Sequence, residues 1–284
     1  MIPSESIDDT TFDFILSRLE SSDLDVIDLR KTEFIDPYGM VGLLEFGRFL
    51  KQKGKNLTLY LPESEDIIRY LSRMDFFRFA PDYFRMSPVE LPQKFPRNPQ
   101  SDVLLEITRI EKSNDIHFIV GRVKERAQTI LERHLHYKEK AINDFLVSLS
   151  EVCQNIIEHS ENTGFVGIQK YFYHKRLNKN VVKIAVMDLG IGFKKSLEKR
   201  LPLRNDLDAL EKALLHGVSR HADIGRGHGL RAVRKFVTEW NGKISIRSGT
   251  ARLSIIPSWS WGKERDSALT PFPGAQISIV LPGV

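Results

Sequence analysis

The sequence predicts an α/β protein with two domains, and three observations lead to this prediction. Strand-like and helix-like patterns alternate in the first 80 residues and again after residue 101. The stretch between them is polar, lacks apolar periodicity and contains Pro81, Pro88, Pro92, Pro96 and Pro99, as is typical of a linker. A length of 284 residues is sufficient for two hydrophobic cores. We therefore expect a small α/β domain at residues 1–80, a linker at 81–101 and a larger domain at 102–284.

The first domain follows a strand, helix, strand, helix order. Alternating apolar residues predict strands at 25–30 and 56–61, and helical periodicity predicts helices at 38–53 and 66–74. This order is typical of a small sheet covered by helices.

The second domain begins with a strand and continues with long helices before most of its strands. The patterns predict strands at 102–110, 164–174, 180–187, 275–281 and within 243–256, and helices at 118–136, 138–159 and 229–240. A polar turn at 178–180 predicts that two of these strands form a hairpin.

Composition excludes several classes of protein. No apolar run is long enough to cross a bilayer and the start lacks the pattern of a signal peptide, so we expect a cytoplasmic protein without a membrane partner. A single cysteine, Cys153, rules out an internal disulfide and a cysteine zinc cluster, and we expect it to be a small buried residue. The 42 basic and 37 acidic residues are interspersed, which argues against a nucleic-acid partner.

The helix predicted at 138–159 is amphipathic. Its apolar side consists of Phe145, Leu149, Val152, Cys153, Ile156 and Ile157. Glu151, Asn155 and Glu158 fall on the opposite side, which either faces solvent or covers a ligand. In the second case Asn155 can offer a neutral oxygen to Mg²⁺, and Glu151 can take a proton from an attacking hydroxyl. We interpret His159, at the edge of the polar side, as a structural histidine.

An acidic residue and two glycines follow the buried strand 181–187. Asp188 stands where open sheets commonly place ligands, and its carboxylate can accept a hydrogen bond from an exocyclic amino group such as that of adenine. Gly190 and Gly192 allow a tight turn and the close approach of a base. The alternative is an ordinary Asp-Gly turn after a strand.

A glycine-rich loop precedes the helix predicted at 229–240. It reads Gly225, Arg226, Gly227, His228, Gly229 and Leu230. Backbone amides and the helix dipole suit phosphate oxygens at such a position, although many loops of this composition are merely flexible. The string does not end in Gly-Lys-Ser/Thr and opens a late helix, so neither a P-loop nor a dinucleotide fold is expected.

Taken together, the strings 150–159, 187–192 and 225–230 make residues 102–284 resemble the Bergerat-fold, HATPase_c-like ATP-binding domain of the GHKL superfamily. The resemblance implies a two-layer α/β sandwich with a mixed, largely antiparallel sheet, and ATP and Mg²⁺ as ligands. It also implies roles for residues: Glu151 as general base, Asn155 as magnesium ligand, Asp188 with Gly190 and Gly192 at the adenine, the loop from Gly225 to Leu230 around the phosphates, and residues 193–224 as a variable lid.

Two details refine the resemblance. The last box of this superfamily usually reads Gly-Thr, whereas this chain has Gly274-Ala275, so we expect weaker or less selective binding of adenine. The spacing from Glu151 through Asn155 to His159, and the string 217–220, are most similar to the anti-sigma-factor serine kinases.

The N-terminal string 26–44 resembles the core of a STAS domain, the fold of anti-sigma-factor antagonists, over roughly residues 7–88. The resemblance is degenerate, because regulated members carry two hydroxyl residues where this chain has Pro37 and Tyr38. We therefore expect no phosphorylation of this domain in cis, and interpret residues 36–39 as a helix start.

These resemblances predict a Mg-ATP-binding regulatory protein with slow hydrolysis, whose nucleotide state controls a protein partner through both domains. The partner would be a STAS or sigma-regulatory protein. Three alternatives stay open: a serine/threonine kinase acting in trans on a separate STAS protein, a non-catalytic nucleotide sensor or scaffold, and an ATPase clamp that forms a homodimer.

Overall fold

The computed structural model describes residues 5–19, 24–88, 102–157, 162–174, 177–218 and 229–284. The helices in these ranges are α1 Phe12–Leu16, α2 Pro37–Gln52, α3 Glu65–Arg73, α4 Phe76–Tyr83, α5 Ser113–Ala127, α6 Arg133–Leu135, α7 Glu139–Asn155, α8 Gly192–Leu197, α9 Asp206–Leu214 and α10 Gly229–Glu239, with a π-helical turn Gln128–Glu132 between α5 and α6. The strands are β1 Ser6–Ile7, β2 Val26–Asp28, β3 Phe34–Ile35, β4 Leu57–Tyr60, β5 Phe84–Ser87, β6 Val103–Ile110, β7 Gly164–Tyr173, β8 Lys179–Asp188, β9 Lys243–Gly249, β10 Ala251–Ile255, β11 Arg265–Asp266 and β12 Phe272–Pro282.

The N-terminal segment, residues 5–88, contains a parallel three-stranded sheet in the order β2-β4-β5. Its longest helix, α2, begins where the sequence predicts a helix start. The side chain of Asp36 accepts a hydrogen bond of 2.8 Å from the amide of Gly39, and Pro37 occupies the first helical position.

The predicted linker is too long at its N-terminal end. Residues 81–83 complete α4, and Phe84–Ser87 form β5 in parallel register with β4. Phe84 anchors this strand, because its buried ring fills the space beside Gly47 of α2, where a Cβ would lie 2.3 Å from the ring. The prolines misled the prediction, since Pro81 lies inside α4. The rest of the predicted linker, residues 89–101, lies outside the described residues.

The larger sheet has the order β11-β10-β9-β12-β8-β7-β6, and all of its described pairings are antiparallel. With helices packed on it, this sheet confirms the predicted α/β sandwich, although a mixed sheet was expected. In the described ranges, no helix has both the length and the apolar character that crossing a membrane requires.

The two faces of this sheet meet different partners. On β8, Val182, Ile184 and Val186 point into a core shared with α5, α7 and α10, which we call the helical face. The alternate residues of β8, Ala185 and Met187, belong to a second core built mostly from the N-terminal segment. Helix α2 packs across β7 and β8 on this N-terminal face. The N-terminal segment therefore forms a third layer on the two-layer sandwich.

Candidate functional site

Asp188 ends β8 and continues the alternation of Ile184 and Val186, so it belongs to the helical face. Its side chain is only 4% exposed. One carboxylate oxygen accepts a hydrogen bond of 2.7 Å from the amide of Gly190, and the amide of Ala275 also donates to this carboxylate. A carboxylate is thus held by backbone donors at the end of a buried strand.

The electrostatics of Asp188 are unusual for a carboxylate. Burial raises its pKa to about 7, against the opposing influence of the two backbone amides and the charge of Arg48. The group therefore titrates near neutral pH, and its ionised form is the stronger acceptor for an amino group.

The turn after Asp188 depends on two glycines with left-handed backbone. Gly192 has φ +74° and Gly274 has φ +76°, and a Cβ on Gly274 would lie 2.0 Å from the carbonyl oxygen of Asp188. Only glycine allows β12 to approach Asp188 this closely.

Ser248 ties this turn to the sheet, and it belongs to none of the motifs singled out from the sequence. Its hydroxyl donates to the carbonyl of Gly274 at 2.6 Å and accepts from the amide of Phe193 at 3.1 Å. Ser248 lies directly opposite Ala275 in the register of β9 and β12, so a hydroxyl is present beside the position where Thr was expected. Because the hydroxyl proton of Ser248 is donated to the carbonyl of Gly274, Ser248 does not replace the hydroxyl of the Thr that was expected at position 275.

Helix α7 presents its apolar side to the sheet, as predicted. Phe145, Leu149, Val152, Cys153 and Ile156 are buried, whereas Glu151 and Asn155 are partly exposed. The amide nitrogen of Asn155 donates to the carbonyl of Glu151 at 2.9 Å. Burial also raises the pKa of the Cys153 thiol to about 12, which confirms the predicted small apolar role.

The C-terminal end of α7 lies close to the end of β8. A Cβ on Gly164 would be 2.7 Å from the Cδ1 of Ile156, the residue after Asn155, and Gly164 pairs with Asp188. The structure therefore brings the helix of Glu151 and Asn155 to the Asp188 end of the sheet.

Helix α10 packs beside α7 on the same face and starts at the last two residues of the glycine-rich loop. Gly229 has φ +50°, and Leu230 is buried in the core of the helical face. The remainder of the predicted loop, Gly225, Arg226, Gly227 and His228, lies outside the described residues, as does His159.

The described part of the predicted lid, residues 193–218, is more regular than expected. It contains most of α8 and all of α9, and both helices pack against the sheet. Asp206 fixes the start of α9, because its carboxylate accepts from the amide and the hydroxyl of Thr250, each at 2.9 Å.

Two further polar residues lie behind the Asp188 turn and were not singled out from the sequence. The amide nitrogen of Asn162 donates to the carbonyl of Leu189 at 3.2 Å, and Arg48 of α2 donates to the amide oxygen of Asn162 at 2.7 Å. The signal for Arg48 was its position, together with Glu45, in a helix that is otherwise almost entirely apolar near its middle.

The large antiparallel sheet and the helices that pack on it define a domain of the α/β sandwich class. In a comparison with protein families, residues 143–282 match the family described as histidine kinase-, DNA gyrase B-, and HSP90-like ATPase, HATPase_c. The chain thus carries a HATPase_c domain of the GHKL type, which supports ATP binding. This match includes Glu151, Asn155, Asp188 and the loop up to Leu230. Comparisons with curated proteins and with solved structures found no match.

Proposed function

We propose that this protein binds Mg-ATP, hydrolyses it slowly and uses its nucleotide state to control a protein partner in the cytoplasm. The observation that carries the proposal is the buried carboxylate of Asp188 at the end of β8, where the neighbouring strand β12 comes so close that only glycine fits at position 274. The HATPase_c match over residues 143–282 supports ATP as the ligand.

Each group of residues has its own role in this proposal. Asp188 accepts a hydrogen bond from the exocyclic amino group of adenine, and the glycines at 190 and 192 let the base approach the backbone. The loop from Gly225 to Leu230 holds the phosphates with backbone amides at the start of α10. Without a hydroxyl at Ala275, recognition of adenine depends more heavily on Asp188.

Asn155 fits a magnesium ligand. Its nitrogen is engaged by the carbonyl of Glu151, so its oxygen is the end that remains for a cation. Mg²⁺ usually takes one or two protein oxygens together with phosphate oxygens and water, and when bound it would neutralise phosphate charge. Glu151, one turn earlier on the same helix, takes the proton from the attacking water.

The N-terminal segment is the proposed regulatory element, because it is fastened to the ATP-binding sheet by buried ion pairs. Asp36 lies 2.7 Å from Lys183, and Asp9 lies 2.5 Å from Lys243. Tyr38 of α2 stands where the STAS resemblance places the phosphoacceptor, and its side chain is buried. A kinase activity would thus have to act on a separate STAS or sigma-regulatory protein.

The experiment that tests the proposal follows phosphate release and protein labelling together, using the full chain with radiolabelled Mg-ATP and a separate STAS protein. We expect slow release of free phosphate, retained ATP binding but no release in Glu151→Gln, and loss of binding in Asp188→Asn. Label on the STAS protein would instead establish the kinase. Binding without turnover would establish a sensor, and ATP-dependent dimerisation in sedimentation would establish a clamp. No ATP binding at millimolar concentration would overturn the proposal.

A further inference from the structure

Helix α2 of the N-terminal segment carries one buried pair of charges in its apolar middle. Glu45 is fully buried and Arg48 is 6% exposed, and their side chains are 3.2 Å apart. Burying two charges is costly, and their mutual attraction repays that cost only when further hydrogen bonds are made.

Arg48 reaches out of the N-terminal segment to the described part of the loop that enters β7, Asn162 and Thr163. Its Nη2 donates to the side-chain oxygen of Asn162 at 2.7 Å and to the carbonyl of Thr163 at 3.0 Å. Hydrogen bonds from a guanidinium are charge-assisted and directional, so they fix the position of this loop.

The loop in turn holds the backbone around Asp188. The nitrogen of Asn162 donates to the carbonyl of Leu189 at 3.2 Å, and Gly164, two residues further, pairs with Asp188 in the sheet. This series of contacts runs from Arg48 of α2 through Asn162 to the carbonyl of Leu189, the residue after Asp188. The positive charge of Arg48 also counters the effect of burial on the pKa of Asp188.

We propose that Arg48 is a positioning residue for the nucleotide: through Asn162 it holds the Asp188 turn in its binding geometry and so couples the N-terminal segment to nucleotide affinity. This inference rests on the proposed role of Asp188 at adenine. It makes the N-terminal segment a structural component of the adenine site. Nucleotide binding and any rearrangement of α2 are then linked in both directions.

The test compares Arg48→Met with a matched variant at the same interface. Tyr70→Phe removes the hydroxyl contact between Tyr70 of α3 and Tyr171 of β7, which lies at the far end of β7 from Gly164. Because Arg48→Met leaves Glu45 buried without its partner, Glu45→Gln/Arg48→Met serves as a second variant that removes both charges.

Two readouts separate this inference from the proposed function. In the nucleotide-free protein, hydrogen exchange of the peptide spanning residues 186–193 should become faster in Arg48→Met and in the double variant, and stay unchanged in Tyr70→Phe. In calorimetry with Mg-ADP, the two Arg48 variants should bind roughly tenfold more weakly, a loss typical of hydrogen bonds to charged groups. Arg48→Lys should recover part of this affinity.

The double variant Arg48→Met/Asn162→Ala tests whether Arg48 acts through Asn162. If Arg48 acts through Asn162, the pair of substitutions should weaken binding no more than Asn162→Ala alone. Unchanged exchange and affinity in both Arg48 variants, with Asp188→Asn abolishing binding, would overturn the inference and leave the proposed function standing. Faster hydrogen exchange in the Arg48 variants, in a protein that binds no adenine nucleotide, would support the contacts from Arg48 to Leu189 but overturn the proposed function.

Discussion

The two faces of the large sheet are built on different principles although they share the same strands. The helical face is apolar: Ile184 of β8, Ile246 of β9 and Ile279 of β12 pack against α5, α7 and α10. The N-terminal face carries cations at the alternate positions, Lys183 on β8 and Lys243 on β9 among them. Both faces bury apolar side chains, and the N-terminal face adds matched charges to its apolar core.

Acidic residues of the N-terminal segment pair with the cations on the N-terminal face. Lys183 pairs with Asp36, Lys243 with Asp9, and Arg247 with Asp13 at 2.8 Å. Asp13 also pairs with Arg252 of β10. Apolar contacts tolerate small changes of shape, whereas a buried charge without its partner is strongly unfavourable. The N-terminal face therefore specifies one docking position of the segment.

The largest effect should follow from breaking one charge pair on the N-terminal face. Lys183→Met leaves the buried carboxylate of Asp36 without its ammonium, and we expect a loss of about 3–5 kcal/mol in the free energy of unfolding. Urea denaturation measures this loss. Asp36→Asn/Lys183→Met should regain most of it, because the amide can still cap α2.

The same variant should show a characteristic pH dependence. Burial raises the pKa of Asp36, and without Lys183 it rises further. A carboxyl whose pKa is raised in the folded protein contributes stability at low pH that is lost as the pH rises through the folded value. Lys183→Met should therefore be less destabilised at pH 5 than at pH 8. An equal loss at both pH values would show that the pair is not the source of the effect.

A second large effect should arise where the sheet meets the candidate site. Gly274→Ala places a Cβ 2.0 Å from the carbonyl oxygen of Asp188 on a backbone with φ +76°. Strain and overpacking together should cost about 2–4 kcal/mol and displace Asp188, with loss of ATP binding. Gly54→Ala is the matched control, because Gly54 also has φ +76° but no atom lies within 4 Å of its Cβ position. Comparable losses in the two variants would mean that contact with Asp188 is unimportant.

The sequence predicted one face of the sheet far better than the other. The near-continuous apolar run 181–187 predicted a buried strand, β8, and placed Asp188 at its end, because such a run is a local property. The same run contains Lys183, but the run does not show what this lysine contacts. Its partner Asp36 lies 147 residues away in the chain, and nothing local connects them.

The candidate site divides in the same way. Glu151, Asn155 and Asp188 were singled out from the sequence because each belongs to a short string with its own chemistry, and their roles stay predictions. Arg48 and Asn162 could not be singled out in this way, because they lie 114 residues apart in sequence. Their contact depends on how the N-terminal segment docks on the sheet. The linker was predicted too long for a related reason: residues 84–87 form a strand by pairing with β4, and Phe84 packs on Gly47 of α2.

A third prediction concerns pH and the nucleotide. The pKa of Asp188 is about 7, so its carboxylate is lost below neutral pH. If Asp188 accepts from adenine, affinity should level off above pH 7 and fall by up to about tenfold per unit below it, as the proton must be displaced. Adenosine is the suitable ligand, since it has no phosphate to titrate, and calorimetry between pH 5.5 and 8.5 measures the change. Constant affinity across this range would exclude the ionised carboxylate as the acceptor.

The smallest effect should come from the helical face, on the residue next to Lys183. Ile184→Val removes one buried methylene from the apolar core and should cost about 0.5–1.5 kcal/mol in urea denaturation, because neighbouring side chains can partly close the space. Unlike Lys183→Met, its cost should be the same at pH 5 and pH 8, since no group that titrates there is affected. Neighbouring residues on one strand would then differ several-fold in energetic effect because they face opposite sides of the sheet. A loss as large as that of Lys183→Met would show that both faces are equally intolerant, and that the charges do not set the docking of the N-terminal segment.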